Sequence, residues 1–207
     1  MLKTVASSTG LLNRQHLTAA LNWRSNIIYY VYNATTGTQM NLTPYLPFNL
    51  TLRPATADDR PFLLQLFASS RPVFSQMGLP EALAAHLAEQ QFQLQQASYR
   101  QQALGAEVFI VLLHNTPAGQ LTVNHSSHDI RLMDLSIVQQ HQGQGYGTAL
   151  IKALQALAGK QQLPLKLSVD HANQRALALY LKLGFGITQQ QDFHYCMCWQ
   201  CSHPQSR

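Results

Sequence analysis

Three glycines alternate with larger residues in the segment 142–148, which reads Gln-Gly-Gln-Gly-Tyr-Gly-Thr. The segment follows an apolar run that ends at Ile137 and Val138, and it leads into a run with the apolar periodicity of a helix. Backbone N–H groups at a helix start lack partners within the helix, and glycine lets such a backbone approach an anion closely. Thr148 can add a hydroxyl group in the first helical turn. The segment therefore predicts a turn that binds a phosphate or pyrophosphate group.

Two other phosphate-binding motifs compete with this interpretation. A P-loop requires Gly-Lys followed by Ser or Thr, and this turn contains no such tripeptide. A dinucleotide fingerprint requires glycine where Thr148 stands, although Asp170 follows near the distance expected of a ribose-binding acid. The dinucleotide alternative therefore stays open as the weaker one. A plain loop that joins a strand to a helix is the other alternative.

The elements that position this turn follow from apolar periodicity and from turn residues. Strands are predicted at 49–54, 106–114, 121–125, 130–138 and 164–170, with two more near the C-terminus and a hairpin loop at 115–119. Helices are predicted at 57–69, about 80–104, about 145–158 and 173–183. This order predicts an α+β fold with a mixed sheet.

Residues 1–48 contain no acidic residue and many Thr, Asn and Ser, and a predicted strand begins at residue 49, so we place a domain boundary near residue 48. We therefore expect an N-terminal extension at 1–48, one catalytic domain at 49–201 and a tail at 202–207. The formal net charge is +5, but the basic residues are scattered, which argues against a nucleic-acid partner. The sequence shows neither a membrane-spanning run nor a secretory signal. A cytoplasmic location without a membrane partner is the expectation.

The three cysteines, Cys196, Cys198 and Cys201, lie close together near the C-terminus. Strand alternation places Cys196 and Cys198 on one face of the predicted last strand, where cysteine commonly behaves as a small buried apolar residue. A zinc site of the common four-cysteine kind needs two Cys-x-x-Cys pairs, and the sequence does not contain two. We therefore predict reduced thiols and no metal.

The glycine turn resembles the GNAT superfamily of N-acetyltransferases, whose pattern is Gln or Arg, two residues, Gly, one residue, then Gly or Ala. Gln142, Gly145 and Gly147 match this pattern. The segment 173–185 is similar to the second signature of the family, with Asn, Ala, Tyr and Gly-Phe at the familiar spacing. The resemblance covers roughly residues 49–200. It implies a mixed, mainly antiparallel seven-stranded sheet flanked by about four helices.

The resemblance implies transfer of an acetyl group from acetyl-CoA to a primary amine of a small molecule or peptide, directly in a ternary complex. It also implies that the strands 130–138 and 164–170 splay apart around the pantetheine arm, while the turn holds the pyrophosphate. The cofactor-binding residues implied in this way are Leu135, Ser136, Ile137, Val138, Gln142, Gly143, Gln144, Gly145, Tyr146, Gly147, Thr148, Asn173 and Tyr180.

The catalytic residues are harder to place. Tyr180 matches the family's general acid, and its alternative role is a packed aromatic on a helix. Asn173 can contact the cofactor, cap its helix, or do both. Asp134 is the only acid of its strand and is a candidate base or substrate contact, unless it is structurally paired. Strand alternation puts Asp134 and Ile137, whose N–H is the expected oxyanion donor, on opposite faces unless a bulge intervenes.

Two positions that carry a basic carboxylate in some family members are Arg131 and Ser168 here, and neither can act as a base. The general base is therefore Asp134 or a chain of water molecules. A non-catalytic acyl-CoA-binding sensor or interaction module is the alternative function. His171 lies near the presumed cleft and can touch the substrate. A homodimer is compatible with the sequence, and neither the acceptor nor the length of the acyl group follows from it.

Overall fold

The computed structural model describes residues 40–71, 78–103 and 105–200. Its strands are β1 (Leu50–Pro54), β2 (Ala106–Leu113), β3 (Thr116–His125), β4 (Ile130–Ile137), β5 (Leu165–Asp170), β6 (Gly186–Gln190) and β7 (His194–Trp199). Its α-helices are α1 (Arg60–Ser69), α2 (Glu81–Gln102), α3 (Tyr146–Gln161) and α4 (Gln174–Lys182). Short 3-10 turns occupy Thr43–Tyr45, Ala57–Asp59 and Gln139–His141.

The seven strands form one sheet in the order β1-β2-β3-β4-β5-β7-β6. Every neighbouring pair is antiparallel except β4 and β5, which run parallel and are joined through α3. This mixed, mainly antiparallel sheet with four helices confirms the predicted fold class. None of the helices described here is both long and apolar enough to cross a membrane.

Helices cover both faces of the sheet. On one face, Leu150 and Leu154 of α3 are fully buried with Leu121 and Ile130 of the sheet in the larger core. On the other face, residues of α1 and α2 pack around Ile110 in a smaller core, made of Leu63, Phe67, Phe92 and Ile110. Burying apolar surface on both faces is the main stabilising contribution to such a three-layer arrangement. The two faces of the sheet therefore differ in the helices and the core residues that adjoin them.

The hairpin between β2 and β3 differs from the prediction. The predicted loop at 115–119 is wrong, because the turn consists of His114 and Asn115, which have φ values of 48° and 64°, and β3 begins at Thr116. Two residues with positive φ make a tight hairpin turn. Pro117 lies inside the strand beside an irregularity in the register, where a residue without an N–H group is tolerated.

Gly119 lies inside β3 because its backbone packs closely against β4. A Cβ at this position would lie 2.3 Å from the backbone oxygen of Ser136 and 2.8 Å from Ile137 Cδ1. Only glycine therefore allows β3 and β4 to approach each other at this point. The end of β4, which precedes the glycine turn, is held in place by this contact.

The segment before β1 contributes to the larger core. Met40 and Leu42 are buried, with 7% and 3% of their surface exposed. Part of the predicted extension thus packs on the domain, through Met40, Leu42, Tyr45 and Leu46, whereas Phe48 is exposed. The remainder of the predicted extension, residues 1–39, and the predicted tail lie outside the described residues, as does Cys201.

An ion pair stabilises the junction of β1 and α1. The Arg53 guanidinium donates to both carboxylate oxygens of Asp59 at 2.7 and 2.6 Å, and the backbone N–H of Thr56 donates to the same carboxylate at 2.7 Å. Asp59 is only 7% exposed. The hydrogen bond from Arg53 is the main reason that the pKa of Asp59 lies at about 2.

Replacing Asp59 by Asn is expected to lower the free energy of unfolding by about 1.5–3 kcal/mol, the usual contribution of hydrogen bonds to a charged group. A depressed pKa means that this contribution is present above the unfolded-state value near 3.9 and is lost as the pH falls toward about 2. Urea unfolding between about pH 2 and pH 7 would measure it. The neighbouring exposed carboxylate provides the control, Asp58→Asn, and an equal loss in both variants would contradict the assignment.

Candidate active site

The parallel strands β4 and β5 separate part of the way along their length. Their pairing runs from Ile130 opposite Leu165 to Leu132 opposite Leu167 and continues no further. A cavity of about 150 Å³ lies where they part, and it is lined by β4 residues 132–135, by β5 residues 167–170, and by Asn173, Ala176 and Tyr180 of α4 and its N-cap. The splayed strands that the resemblance implied are therefore present.

The backbone N–H and C=O groups of successive β4 residues point alternately toward β3 and toward this opening. The N–H of Val138 donates to the carbonyl of Ala118 at 2.9 Å, so the backbone of Ser136, two residues earlier, also faces β3. Leu135 and Ile137 consequently present their N–H and C=O groups toward β5. The side-chain amide of Gln142 donates to the carbonyl of Ile137 at 2.8 Å and ties the glycine turn to the strand end.

Two of the three glycines in the turn have a backbone conformation that favours glycine. Gly143 and Gly145 have φ values of 76° and 89°, in the left-handed region that favours glycine. Gly145 is the N-cap of α3, and no side chain caps this helix start. Gln144 donates to the Gln140 carbonyl at 2.9 Å, which stabilises the turn from its other side. The first N–H groups of α3 are thus directed out of an exposed turn, as an anion site requires.

Arg175 is a functional candidate that the sequence analysis missed. One guanidinium nitrogen, Nη2, lies 4.0 Å from the position that a Cβ of Gly143 would occupy. Arg175 is exposed and belongs to the first turn of α4. The signal was available, because this arginine lies within the second signature between Asn173 and Tyr180. Nothing in the sequence, however, placed the start of α4 beside the glycine turn.

Tyr180 and Asn173 both line the cavity. Burial, and secondly the charge of Asp134, raise the pKa of Tyr180 to about 12. Its ring packs edge-on against Phe185, with ring centroids 5.7 Å apart. Tyr180 is therefore also a packed aromatic residue, the alternative role that the sequence left open. Asn173 is the N-cap of α4, and its side-chain oxygen accepts from the Ala176 N–H at 3.1 Å. Both residues have structural roles that leave them facing the cavity.

Asp134 lies in the cavity wall on the sheet face covered by α1 and α2. Its carboxylate accepts hydrogen bonds from the side chains of Gln120 and Ser136. Burial raises its pKa, and the opposing causes are the Arg71 charge, these two hydrogen bonds and a hydrogen bond from the backbone N–H of Leu135. A bulge does occur in β4, at Met133, but it precedes Asp134. Asp134 and Ile137 therefore point their side chains to opposite faces.

The other candidates near the opening have separate partners. Arg131 lies 3.8 Å from Asp129, whose carboxylate also pairs with Lys166 at 2.9 Å. Ser168 lines the cavity without a group that can act as a base. The His171 ring stacks on Tyr195 with centroids 4.2 Å apart. Within the described residues, no group of three His, Cys, Asp or Glu side chains could hold a metal ion.

The comparison with protein families agrees with this geometry. The model of the acetyltransferase (GNAT) family matches residues 66–185, more than half of the chain. The chain belongs to the acetyltransferase (GNAT) family. The family predicted from the two signatures is confirmed, and so is the assignment to the acyltransferases. No curated protein matches the sequence.

Solved structures share the fold over nearly their whole length. PaiA N-acetyltransferase from Thermoplasma acidophilum, in complex with coenzyme A, is 17% identical, with a TM-score of 0.55 over 73% of this chain and 98% of its own. An acetyltransferase from Thermus thermophilus is 23% identical, with a TM-score of 0.55 over 75% and 99%. RimL, a ribosomal-protein alpha-N-acetyltransferase, is 16% identical, with a TM-score of 0.54 over 75% and 92%. At these identities the likeness establishes the fold.

Proposed function

We propose that this protein transfers an acetyl group from acetyl-CoA directly to a primary amine of a small molecule or peptide in a ternary complex. The observation that carries the proposal is the opening between β4 and β5, where Asp134 and Tyr180 line one cavity. The phosphate-binding turn follows directly after β4. A candidate base, a candidate acid and a candidate cofactor cleft thus meet in one place. That PaiA binds coenzyme A on the same fold supports the proposal.

The residues present fit coenzyme A. The cleft-facing backbone groups of Leu135 and Ile137 can pair with the amide groups of the pantetheine arm as an added strand would. The first N–H groups of α3 and the Arg175 guanidinium lie where a pyrophosphate would be held. A Cβ at Gly145 would meet nothing within 4 Å, so space outside the turn is open.

Two side chains can handle the protons of the reaction. Acetyl-CoA supplies the thioester, while Asp134 takes a proton from the amine, as its raised pKa favours. Tyr180, with a pKa of about 12, keeps its proton at neutral pH and can give it to the departing thiolate. Protonation of Asp134 removes one of the two causes of the raised Tyr180 pKa. The base step therefore makes Tyr180 a stronger acid when the thiolate leaves.

A backbone N–H must stabilise the developing negative charge on the carbonyl oxygen. Ile137 is the residue expected from the sequence, and Leu135, which lines the cavity that contains Tyr180, is the alternative. Both N–H groups point toward β5. Because the Leu135 N–H also interacts with the Asp134 carboxylate, we assign the oxyanion contact to Ile137.

Calorimetric titration with CoA, followed by an assay of thiol release from acetyl-CoA with a panel of amines, tests this function. We expect saturable CoA binding and release of free CoA that depends on an amine. Binding without transfer to any amine would favour the non-catalytic acyl-CoA-binding module. Absence of CoA binding would contradict both functions, and stabilisation by a nicotinamide dinucleotide in a melting assay would revive the dinucleotide alternative.

Replacing Arg175 by Gln is expected to weaken CoA binding about 3- to 30-fold, or about 0.7–2 kcal/mol, because an exposed charge-assisted contact to phosphate is lost. Titrations at two salt concentrations would show that the difference shrinks at higher salt. The control is Lys182→Gln, which removes the same charge from the other end of α4. Equal weakening by both substitutions would indicate a general charge effect and would contradict a direct contact.

A further inference from the structure

A patch of polar side chains lies on the sheet face that α1 and α2 cover. Gln120 and Thr122 of β3 stand opposite Ser136 and Asp134 of β4 in the register, so these four side chains share one face. Gln120 and Thr122 are only 4% and 1% exposed. Ile110 lies opposite Gln120 on the next strand and belongs to the smaller apolar core. The polar patch therefore borders that core directly.

The helix α2 covers this patch with polar residues. Phe92 packs into the smaller core, and Gln95 and Tyr99 follow on the same side of the helix, at the spacing of successive turns. Tyr99 is partly buried, and its hydroxyl interacts electrostatically with Asp134 and with Arg71. The side of α2 that is apolar at Phe92 is thus polar where it faces Asp134.

Arg71 supplies a positive charge next to the polar patch. The patch together with Gln95, Tyr99 and Arg71 is called the polar cluster below. Its guanidinium carbon lies 3.7 Å from the centroid of the Phe67 ring, and Nη1 donates to the Phe67 carbonyl at 3.3 Å. All nine acidic residues of the chain lie in its described part, and none of them forms an ion pair with Arg71. Asp134 acts on it only over a longer distance. A partly buried guanidinium without a carboxylate in contact favours an anionic ligand group.

Two further polar atoms in the cluster have unused hydrogen-bonding capacity. The Thr122 hydroxyl and the Gln95 side-chain oxygen are buried and lack a hydrogen-bond partner among the residues that the structure describes. Buried polar atoms of this kind are uncommon, and each is a reason to look for a ligand. Both atoms can accept a hydrogen bond, as the Asp134 carboxylate can, and an ammonium group has three donors.

We propose that this cluster is the acceptor pocket, and that the acceptor carries a carboxylate beside its amino group, as a free α-amino acid does. The amino group is held at Asp134, with Thr122 and Gln95 as further acceptors, and the carboxylate is held by Arg71. The inference rests on the proposed acetyl transfer and narrows its acceptor from any primary amine to a zwitterion. A polyamine would place no anion at Arg71 and would add a second positive charge near it.

A comparison of matched acceptors that differ only in the carboxylate tests this inference. Each standard amino acid is paired with its amide and with the decarboxylated amine, and peptides with N-terminal Asp or Glu form a separate arm. Acceptor binding is titrated calorimetrically in the presence of CoA, and turnover is measured with acetyl-CoA. We expect at least one amino acid to bind at least 10-fold more tightly than its amide. If acidic peptides bind more tightly than every free amino acid, the ammonium and carboxylate groups belong to the N-terminal residue of a peptide. That result would contradict a free amino acid as the acceptor.

The variant Arg71→Gln is expected to reduce the ratio of acid to amide affinity toward one, while Lys152→Gln, an exposed charge removed from α3, leaves it unchanged. If Arg71→Gln does not fold, the wild-type ratio and Arg71→Lys, which keeps the charge, still test the pocket. Equal binding of acids and amides, or binding of no panel member, would overturn this inference. Tight amino acid binding without acetyl transfer would instead sustain the pocket and contradict the proposed catalysis.

Discussion

Replacing Tyr180 by Phe is expected to lower kcat by about 10²- to 10⁴-fold, the usual contribution of a positioned general acid. The substitution removes only the hydroxyl group, and the ring keeps its edge contact with Phe185. CoA affinity and thermal stability should therefore stay close to those of the wild type. Steady-state kinetics with acetyl-CoA and an active amine, together with CoA titration, would separate the effect on kcat from any effect on binding.

The control for this experiment is Tyr45→Phe, which removes a hydroxyl group from a partly buried tyrosine that packs on the larger core. Its kcat should match that of the wild type. Because the pKa of Tyr180 is about 12, the wild-type rate should show no alkaline loss from this residue below about pH 11. Full activity of Tyr180→Phe would contradict the assignment and would leave water as the proton donor.

The parts of the site that could be predicted from the sequence are those determined by local chain geometry. Alternating glycines at a strand end allow positive φ at Gly143, Gly145 and Gly147, and it is observed at the first two, whereas Gly147 lies inside α3. Asn173, three residues before Ala176, dictates a helix cap, and this hydrogen bond is also observed. Such features depend on a few neighbouring residues, so a single sequence contains them.

The parts that could not be predicted depend on contacts between distant segments. Pro117 and Gly119 are typical turn residues, and only the close approach of β3 to Ser136 explains why Gly119 belongs to a strand. Arg71 and Asp134 are 63 positions apart in the numbering, and no local pattern indicates that they lie on the same side of the sheet. Arg175 lies beside Gly143 only because α4 follows β5, the strand next to β4.

The two sheet faces give the two halves of the reaction different surroundings. The glycine turn and Tyr180 are associated with the larger core under α3 and α4, whereas Asp134 faces α1 and α2 with Gln120. Ile137 and Asp134 both belong to β4, so one strand presents a backbone group to the donor side and a carboxylate to the acceptor side. Asp134 is therefore the residue whose replacement distinguishes a catalytic carboxylate from a structural one.

Replacing Asp134 by Asn is expected to lower kcat by about 10²- to 10⁴-fold and to raise the free energy of unfolding at neutral pH. The first effect follows from the loss of the base. The second follows because burial is the largest influence on the Asp134 pKa and raises it, so the ionised carboxylate costs stability in the folded state. Asn removes this charge and can still accept the hydrogen bond from Gln120. A variant that is more stable and less active is typical of a functional residue.

The pH dependence gives the sign of this effect. A carboxyl group with a raised folded-state pKa costs nothing when it is protonated in both states, below the unfolded-state value near 3.9. The cost grows as the pH rises from that value to the folded-state pKa, and it is constant above. Urea unfolding of Asp134→Asn and wild type should therefore show a stability difference that increases with pH and then levels off. The exposed carboxylate of Asp192 provides the control, Asp192→Asn, which should leave kcat unchanged. If Asp134→Asn is instead less stable at neutral pH and retains activity, the carboxylate is a structural partner of Gln120 and Arg71, and water must serve as the base.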